Sequence, residues 1–348
     1  MSDLVDGAAI FSAGGGGDPE AGHKILDQLI SEGYTVRLVT PSEVPDNARI
    51  FNFACVGATT TIEYDAEAAV KTLKVLEESA SSSAYAAIPV ELGGFNTSVA
   101  VDVAARCNIP VVDADGAGRS VPEVHLKIYT LDDIPLTPMA ISDSHARNIV
   151  VTKKTADHKA AERISRILAA EWGHSAYTAR RILTGYQVKT SPIQLSLSKS
   201  ICTGKLLRKT ADPISAVLKE TRGFRLFEGI VDKAEQKTQG GFTFVNIRIK
   251  GKHDYSGESL ELKAKNEVLI AKKDGELAAI APDIITPLYP ETGKCITAEK
   301  IDADQELVVV GLPTPRKWRT SRGIELWKEM LQSTSIPEEY VPIEELQR

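Results

Sequence analysis

The chain has 348 residues, of which 43% are hydrophobic and 25% are charged, and its formal net charge is −6. Since an average domain holds roughly 100–200 residues, this length predicts two domains, and the composition is that of an ordinary globular protein. The acidic balance excludes a general nucleic-acid-binding or acidic-membrane-binding surface, and no apolar run approaches the roughly 20 residues that span a bilayer.

The N-terminus and the cysteines indicate the cellular compartment. Residues 1–17 lack the basic region and the long apolar region of a secretory signal. The cysteines stand far apart and form no CxxC pair, so we interpret them as reduced thiols and not as a disulfide or zinc scaffold. We therefore expect a cytoplasmic protein. The cysteines are Cys55, Cys107, Cys202 and Cys295.

Short apolar runs alternate with helical periodicity through the first half of the chain. Ala8–Ala13 predicts a strand, and Pro19–Ser31 predicts a helix with Asp18 as its N-cap. Repeated strand–helix order predicts an α/β domain over residues 1–172 with a mainly parallel sheet. The same pattern predicts strands at Tyr34–Val39, Ile50–Val56, Tyr85–Val90, Ile109–Val112, Leu126–Tyr129 and Ile149–Thr152, and helices at Asp65–Glu78, Ser98–Cys107 and Asp157–Trp172.

The pattern changes in the second half, residues 173–348. Two helices are predicted first, at Pro192–Arg208 and Pro213–Thr221, and glycine-separated alternating segments follow them. This order predicts a β-rich α+β domain with an antiparallel sheet, arranged as a barrel or a sandwich. Its strands are predicted at Phe224–Asp232, Gly241–Lys250, Ser259–Leu262, Glu267–Lys272, Leu277–Ile280 and Glu306–Gly311.

Four glycine-rich or polar stretches of the first domain each begin where a predicted strand ends. Because ligands of an open parallel sheet bind in the crevice beyond the carboxyl ends of its strands, we expect these stretches to share one pocket. Backbone N–H groups and helix N-termini at that edge favour anions. The alternative for each stretch is an ordinary tight turn. The stretches are 14–19 (GGGGDP), 57–61 (GATTT), 91–97 (ELGGFNT) and 113–119 (DADGAGR).

These stretches supply the candidate substrate-binding residues. Glycines allow a ligand to approach the backbone closely, and a carboxylate with an amide can hydrogen-bond the NH–C=O edge of a ring. We expect Glu91 and Asn96 to bind such an edge. The alternative is that Asn96 or Thr97 caps the next helix and Glu91 is solvated. The predicted substrate-binding residues are Gly14, Gly15, Gly16, Gly17, Thr60, Gly94, Asn96 and Arg119.

Acidic side chains in and near the same stretches are the candidate catalytic residues. Asp113 and Asp115 stand two positions apart, and Glu123 is close to them in sequence. Paired carboxylates can divide into an acid and a base or can hold a divalent metal, with Mg²⁺ or Ca²⁺ better suited than Zn²⁺. The alternative for the two aspartates is a turn before Gly116. The predicted catalytic residues are Asp115, Asp113, Glu123 and Glu91.

Other motifs are weaker. The string GDPEAGHK (17–24) departs from a phosphate-binding loop because His23 stands at the lysine position and no Ser or Thr follows Lys24, so no nucleotide is expected. His125 and His145 are compatible with a base or ligand role but are more typical of packed or surface histidines. Cys202 is more typical of a buried apolar residue than of a nucleophile.

Strings along nearly the whole chain resemble one family. In the first half, FSAGGGGDPEAG (11–22), ELGGFNTS (91–98) and PMAISDSHARNIVV (138–151) occur in the order seen in the S-methyl-thiohydantoin desulfurase-like family. In the second half, NEVLIA (266–271) and VVVGLPTPRKWRT (308–320) resemble the C-terminal domain of that family. The strings GRSVPEVH and DSHARN depart from the family's usual GRAFPE-like and D-x-x-GN-like patterns.

The resemblance implies a two-domain, hydrolase-like enzyme that hydrolyses or desulfurises a small cyclic ureide, thiohydantoin or lactam. In this hypothesis a carboxylate among Asp113, Asp115 and Glu123 activates water, directly or through a divalent metal. Backbone N–H groups of Gly14–Gly17 would stabilise the developing oxyanion or bind a carboxylate tail of the substrate. The alternative is a non-catalytic accessory subunit of a hydantoinase- or oxoprolinase-type enzyme. We expect a small-molecule substrate, no nucleic acid and no membrane, with a homo-oligomer or a hydantoinase-type partner as further options.

Overall fold

The computed structural model of the chain describes residues 1–57 and 64–348, and these residues form two seven-stranded sheets with helices around them. Within this part of the chain, no helix is long and apolar enough to cross a membrane. The strands that precede the second sheet are β1 (Leu38–Val39), β2 (Arg49–Gly57), β3 (Ala86–Pro89), β4 (Val111–Val112), β5 (Ala114–Asp115), β6 (Met139–Ser142), β7 (Ile149–Thr152), β8 (Ser175–Thr184) and β9 (Ile193–Gln194).

The first sheet is mixed, with the strand order β1-β4-β3-β2-β8-β6-β7. Strands β1, β4, β3 and β2 are parallel to one another, and β8, β6 and β7 are added antiparallel. The prediction of an α/β N-terminal domain is confirmed, although only one half of its sheet is parallel. Strand β8 follows residue 172, the predicted domain boundary, and pairs with β2 in this sheet. Strands β5 and β9 form a separate two-stranded ladder.

Helices cover both faces of the first sheet because the side chains of its central strand alternate. Phe51 and Phe53 of β2 share a core with helices α3 and α4, whereas Val56 packs with α6 on the opposite face. The helices of this part are α1 (Ser2–Ile10), α2 (Pro19–Ser31), α3 (Ala66–Ala80), α4 (Gly94–Arg106), α5 (Ile128–Leu131), α6 (His158–Glu171) and α7 (Gly185–Thr190).

Two predicted strands are wrong, and both are short apolar runs. Ala8–Ala13 contains the end of α1, which is buried among α2, α4 and the later helix α8 (Ser196–Lys209). A helix buried on all sides carries no polar stripe, so a short window cannot distinguish it from a buried strand. Leu126–Tyr129 likewise leads into α5. The predicted helix Pro19–Ser31 is confirmed as α2. Its N-cap Asp18 accepts a hydrogen bond from the N–H of Glu20.

The second sheet is an antiparallel half-barrel, which confirms the β-rich C-terminal domain. Its strand order is β14-β13-β12-β11-β10-β16-β15, and burial alternates along β11 as expected for a sheet with one covered face. The strands are β10 (Phe224–Gln239), β11 (Phe242–Gly251), β12 (Ser259–Lys265), β13 (Glu267–Lys273), β14 (Glu276–Ile280), β15 (Ile284–Leu288) and β16 (Glu306–Leu312), and the helices are α9 (Pro213–Thr221), α10 (Ser321–Ser333) and α11 (Ile343–Leu346).

One hydrophobic core joins the two sheets. Ile284 and Leu288 of β15 and Val310 of β16 belong to the same cluster as Ile10 of α1 and Phe53 of β2. Backbone hydrogen bonds cross the same boundary, from the N–H of Val268 to the carbonyl of Ala13 and from the N–H of Ala298 to the carbonyl of Gly14, each at 2.8 Å. The glycine run therefore lies where the two sheets meet.

Candidate active site

A cleft lies between the ends of β2 and β3 and the start of β13. Its cavity volume is about 50 Å³, and the cleft is partly open to solvent. The predicted glycine run and the loop after β3 both line it, so these two stretches share a pocket as expected. Its walls comprise Gly14–Gly17, Cys55, Val56, Gly57, Glu91, Asn96, Val121, Pro122, Val124, Lys127, Arg166, Arg180, Asn266, Glu267, Thr297 and Glu299.

Glu91 follows β3 and is fixed by three hydrogen bonds. Its carboxylate accepts from Lys127 Nζ at 2.7 Å, from Asn96 Nδ2 at 2.8 Å and from the N–H of Val121 at 3.3 Å. Burial acts to raise the pKa of Glu91, but attraction to Lys127 and the hydrogen bonds outweigh burial and hold that pKa below its usual value. Glu91 is therefore an ionised carboxylate paired with a buried ammonium group.

Asn96 is a structural bridge at the start of α4. Its Oδ1 accepts from the N–H of Cys55 at 3.0 Å, its Nδ2 donates to Glu91, and its own N–H donates to the carbonyl of Gly16 at 3.1 Å. The amide thus connects the end of β2, the loop after β3 and the glycine run. Glu91 and Asn96 bond to each other, and this pair presents one preformed polar edge to the cleft.

Glu267, the first residue of β13, faces Glu91 across the cleft. Its Oε1 accepts from Ser120 Oγ at 2.6 Å and from the N–H of Gly16 at 3.3 Å, whereas its Oε2 has no hydrogen-bond partner among the described residues. The residue is 2% exposed. Burial, together with repulsion from Glu91, raises the pKa of Glu267 to about 7. A carboxyl group that titrates near neutrality can donate or accept a proton in a reaction.

Sequence reasoning placed Glu267 on a strand and did not identify it as a site residue. A signal was present, because Glu267 opens the strand segment 267–271, which is buried throughout. A carboxylate at the head of an apolar, fully buried strand needs a partner or a function. The sequence analysis also missed Lys127 and Arg180, because each stands in a run of residues that is typical of an ordinary strand.

The glycine run allows this arrangement by removing side chains. A Cβ atom on Gly15 would lie 2.2 Å from Glu267 Oε1, and one on Gly16 would lie 2.7 Å from the Cα of Gly93. Gly14, Gly16 and Gly17 also have positive φ angles, which side-chain-bearing residues rarely adopt. The N–H of Gly15 already donates to the carbonyl of Ser12, and that of Gly16 donates to Glu267. These two amides are therefore already hydrogen-bonded within the protein.

The paired aspartates do not line the cleft. Asp113 accepts hydrogen bonds from the N–H groups of Leu197 and Ser198, each at 3.0 Å, at the first turn of α8. Asp115 accepts from the N–H groups of Ala117 and Gly118, at 2.8 and 2.7 Å. Burial raises the pKa of Asp115 to about 6. The contacts of Asp115 match the turn alternative that the sequence left open, whereas those of Asp113 hold the first turn of α8.

Two other predicted residues, Glu123 and Arg119, join the two halves of the molecule, and a third, Gly94, packs within the first half. Glu123 is paired with Lys265 of β12, and His125 Nδ1 lies 3.3 Å from its second oxygen. Arg119 is fully buried and donates to the carbonyls of Pro282 and Asp283, at 2.6 and 3.0 Å. Gly94 packs on α2, where a Cβ atom would lie 2.7 Å from the Cα of Pro19.

The remaining candidates lie elsewhere. Thr60 is outside the described residues, whereas Gly57, the first residue of the same stretch, lines the cleft. His145 is exposed, with its Nδ1 3.5 Å from Asp65, and Cys202 is exposed on α8. Cys55 is the cysteine that lines the cleft, and burial raises the pKa of its thiol well above the usual value.

No predicted acid belongs to a metal-like cluster within residues 1–57 and 64–348. The group of three with suitably close ligand atoms is Glu228, His253 and Glu306, on the surface of the second sheet. Lys252 Nζ already lies 2.8 Å from Glu306 there. That cluster is separate from the cleft, whose ionised carboxylate Glu91 is bound by Lys127.

Comparisons with known proteins agree with this two-part architecture. A crystal structure of a protein from Chromobacterium violaceum superimposes with a TM-score of 0.82 and 22% sequence identity, covering 98% of this chain and 97% of that one. At this identity the likeness shows the fold. A comparison with curated proteins found no significant match. Two family models match in sequence, the S-Me-THD-like N-terminal domain at residues 1–153 and the S-Me-THD-like C-terminal domain at residues 156–329. The chain therefore belongs to the S-Me-THD-like family.

Proposed function

We propose that the cleft hydrolyses or desulfurises a small cyclic ureide, thiohydantoin or lactam, with Glu267 as its general acid–base group. The observation that carries this proposal is the Glu267 carboxyl group, which is buried in the cleft with one oxygen unpartnered among the described residues and with a pKa near 7. Membership of the S-Me-THD-like family supports the substrate class.

The reaction needs one group that takes a proton and later returns it. Ionised Glu267 removes a proton from water as the water oxygen bonds to the ring carbon. In a lactam or ureide the C–N bond then breaks, and the nitrogen takes the proton from Glu267. In an S-methyl-thiohydantoin the C–S bond breaks instead, so methanethiol leaves with that proton and a carbonyl remains on the ring. Both reactions consume one water molecule and restore the carboxylate.

Glu91 and Lys127 influence the protonation state of Glu267 and the polarity of the cleft. Glu91 is ionised because it is paired with Lys127, and its negative charge is one cause of the raised pKa of Glu267. Two carboxylates in one site with pKa values driven apart are the usual arrangement for separate roles. In this proposal Glu91 and Asn96 orient the NH–C=O edge of the ring, and Glu267 moves the proton.

The test is turnover of a panel of hydantoins, thiohydantoins, S-methyl-thiohydantoins and lactams by Glu267→Gln. We expect kcat to fall by about 100-fold or more while KM changes by less than about threefold, because general acid–base catalysis contributes factors of this size. Thiol release and ring absorbance report the two reaction types. In the wild-type protein, kcat/KM should rise with pH and level off above about 7, as Glu267 ionises.

The matched control is Glu276→Gln, an exposed glutamate on the neighbouring strand β14. It should keep wild-type turnover. Full activity of Glu267→Gln would remove Glu267 from the mechanism. Absence of turnover by pure wild-type protein on the whole panel would reject the proposed function.

A further inference from the structure

A β-bulge in β8 directs Arg180 into the cleft. Strand β8 pairs Ile182 with Phe51 and Arg180 with Asn52, so Arg181 is an extra residue in the ladder, with a φ angle of 52°. The bulge separates the two arginines. Arg181 lies 4.9 Å from the ring centre of Tyr129, whereas Arg180 lines the cleft. Bulges commonly re-aim a side chain next to an active site.

Arg180 is buried, and one of its terminal nitrogens is without a hydrogen-bond partner in the part of the chain that the structure describes. The residue is 3% exposed, and that nitrogen is Nη1. The carboxylates that act on it electrostatically are Glu91 and Glu162. Glu91 is already bonded to Lys127 at 2.7 Å, and Glu162 is bonded to Arg166 at 2.7 Å. Each neighbouring carboxylate is therefore already paired with another cation.

The guanidinium group nevertheless remains charged. Burial lowers the pKa of Arg180 to about 10, which is still well above neutral pH. Buried charges in proteins are normally paired, because an unpaired ion loses its hydration without compensation. A buried, charged arginine that lines a cleft and leaves Nη1 unpartnered within residues 1–57 and 64–348 is therefore best explained by a ligand that brings negative charge.

We propose that Arg180 forms an anion subsite of the cleft, and that it holds the negative charge developing on the heteroatom double-bonded to the attacked ring carbon. The second part rests on the proposed function. When water adds to that carbon, the electron pair of the double bond moves onto the heteroatom, where guanidinium donors stabilise it. The sequence assigned this role to the glycine-run amides, but those of Gly15 and Gly16 are occupied.

The anion subsite is tested first without any turnover. Formate is titrated calorimetrically into the wild-type protein and Arg180→Gln, with chloride keeping the ionic strength constant. We expect formate to bind the wild-type protein at least about tenfold more tightly, because a planar guanidinium matches a carboxylate. Arg180→Lys keeps the charge and should bind with intermediate affinity. Arg163→Gln, at an exposed position of α6, should behave like the wild type.

Equal affinity of formate for the wild type and folded Arg180→Gln would overturn the anion subsite. Should Arg180→Gln fail to fold, Arg180→Lys provides the comparison, because unchanged formate affinity in that variant would show that the guanidinium does not bind the anion. Far-ultraviolet circular dichroism establishes folding of each variant.

Turnover tests the second part. On a substrate that the wild type converts, Arg180→Gln should lose about 100-fold in kcat with KM changed by less than about threefold, as for removal of one oxyanion donor. Added guanidinium ion at millimolar concentration should partly restore Arg180→Ala but not Glu267→Gln. Wild-type kcat in Arg180→Gln would overturn this part and leave the proposed function standing. Formate binding at Arg180 without turnover of any ring would reject the proposed function and leave the subsite standing.

Discussion

Glu91 and Glu267 are the same residue type in the same cleft, and their pKa values move in opposite directions. The difference comes from their partners. Glu91 bonds to the Lys127 ammonium group, whereas Glu267 accepts from Ser120 and Gly16, which are neutral donors. Burial therefore dominates at Glu267 and raises its pKa to about 7, while the ion pair dominates at Glu91.

The raised pKa of Glu267 makes stability depend on pH. An unperturbed glutamate has a pKa of 4.5, whereas the pKa of Glu267 in the folded protein is about 7. The stabilising effect of the protonated group is complete below about pH 4.5 and is lost as pH rises through 7. We expect Glu267→Gln to gain on the order of 2 kcal/mol in unfolding free energy relative to wild type between pH 5 and pH 8.

Urea unfolding of both proteins at the two pH values measures this difference directly. Glu276→Gln serves as the control, and its difference from wild type should not change with pH. A pH-independent difference for Glu267→Gln would contradict a raised pKa at this residue.

At the scale of elements, the glycine run is a spacer between three segments. Gly16 has a φ angle of 66° and lies against the backbone of Gly93, the N-cap residue of α4. Gly15 lies against the Glu267 carboxyl group at the start of β13. Side chains in this run would push the loop after β3 and the second sheet away from each other, so the run positions the two glutamates.

Gly16→Ala and Gly33→Ala separate this packing effect from backbone strain. Both glycines have positive φ angles, but an added Cβ meets Gly93 Cα at 2.7 Å in the first case and nothing within 4 Å in the second. Strain alone should cost Gly33→Ala about 1 kcal/mol of unfolding free energy, and the clash should cost Gly16→Ala about 2 kcal/mol more. Urea unfolding checks both, and equal losses would contradict the spacer role.

At the scale of the whole molecule, the two sheets share one core and one cleft. Arg119 carries this connection, since it donates to two carbonyls of the second half and its guanidinium lies 4.7 Å from the ring centre of Trp327. The indole N–H of Trp318 donates to the carbonyl of Ala117 at 2.8 Å. The halves defined by the two family models are therefore not independent in packing.

This shared core predicts a single cooperative unfolding transition. Far-ultraviolet circular dichroism and tryptophan fluorescence should give the same midpoint within about 1 °C, and calorimetric and van't Hoff enthalpies should agree. The tryptophans report both sheets, because Trp172 packs against the first sheet whereas Trp318 and Trp327 pack against strands of the second. Two resolved calorimetric transitions would contradict the prediction.

Long, strongly patterned segments were predictable from the sequence. The helix Pro19–Ser31 has a proline at its start and an aspartate cap, and the structure confirms both. Ala8–Ala13 was predicted wrongly because a helix buried on all sides has no polar face that its pattern could display. The sequence also placed the glycine run and Glu91 in one pocket, as the structure does, because both follow elements that end at one edge of the first sheet.

Glu267, Lys127 and Arg180 could not be found in the same way. They reach the cleft through a strand of the second half, the segment after Arg119 and a bulged strand beyond residue 172. No local pattern encodes these approaches, because they depend on how distant elements pack. Conversely, Asp113 and Asp115 look like a catalytic pair locally, and only the packing of α8 shows that Asp113 holds its first turn.

The amino-acid sequence by itself determined the two-part class of the protein, its main helices and strands, and the resemblance of its ordered strings to a thiohydantoin desulfurase-like family. These properties arise from residue patterns that are local or that can be read along the chain. The tertiary structure alone decided, among the described residues, which carboxylate is buried with one oxygen unpartnered and which arginine is buried with an unpartnered nitrogen. A pKa shift and an unpaired charge arise from neighbours far apart in sequence, and only folding brings those neighbours together.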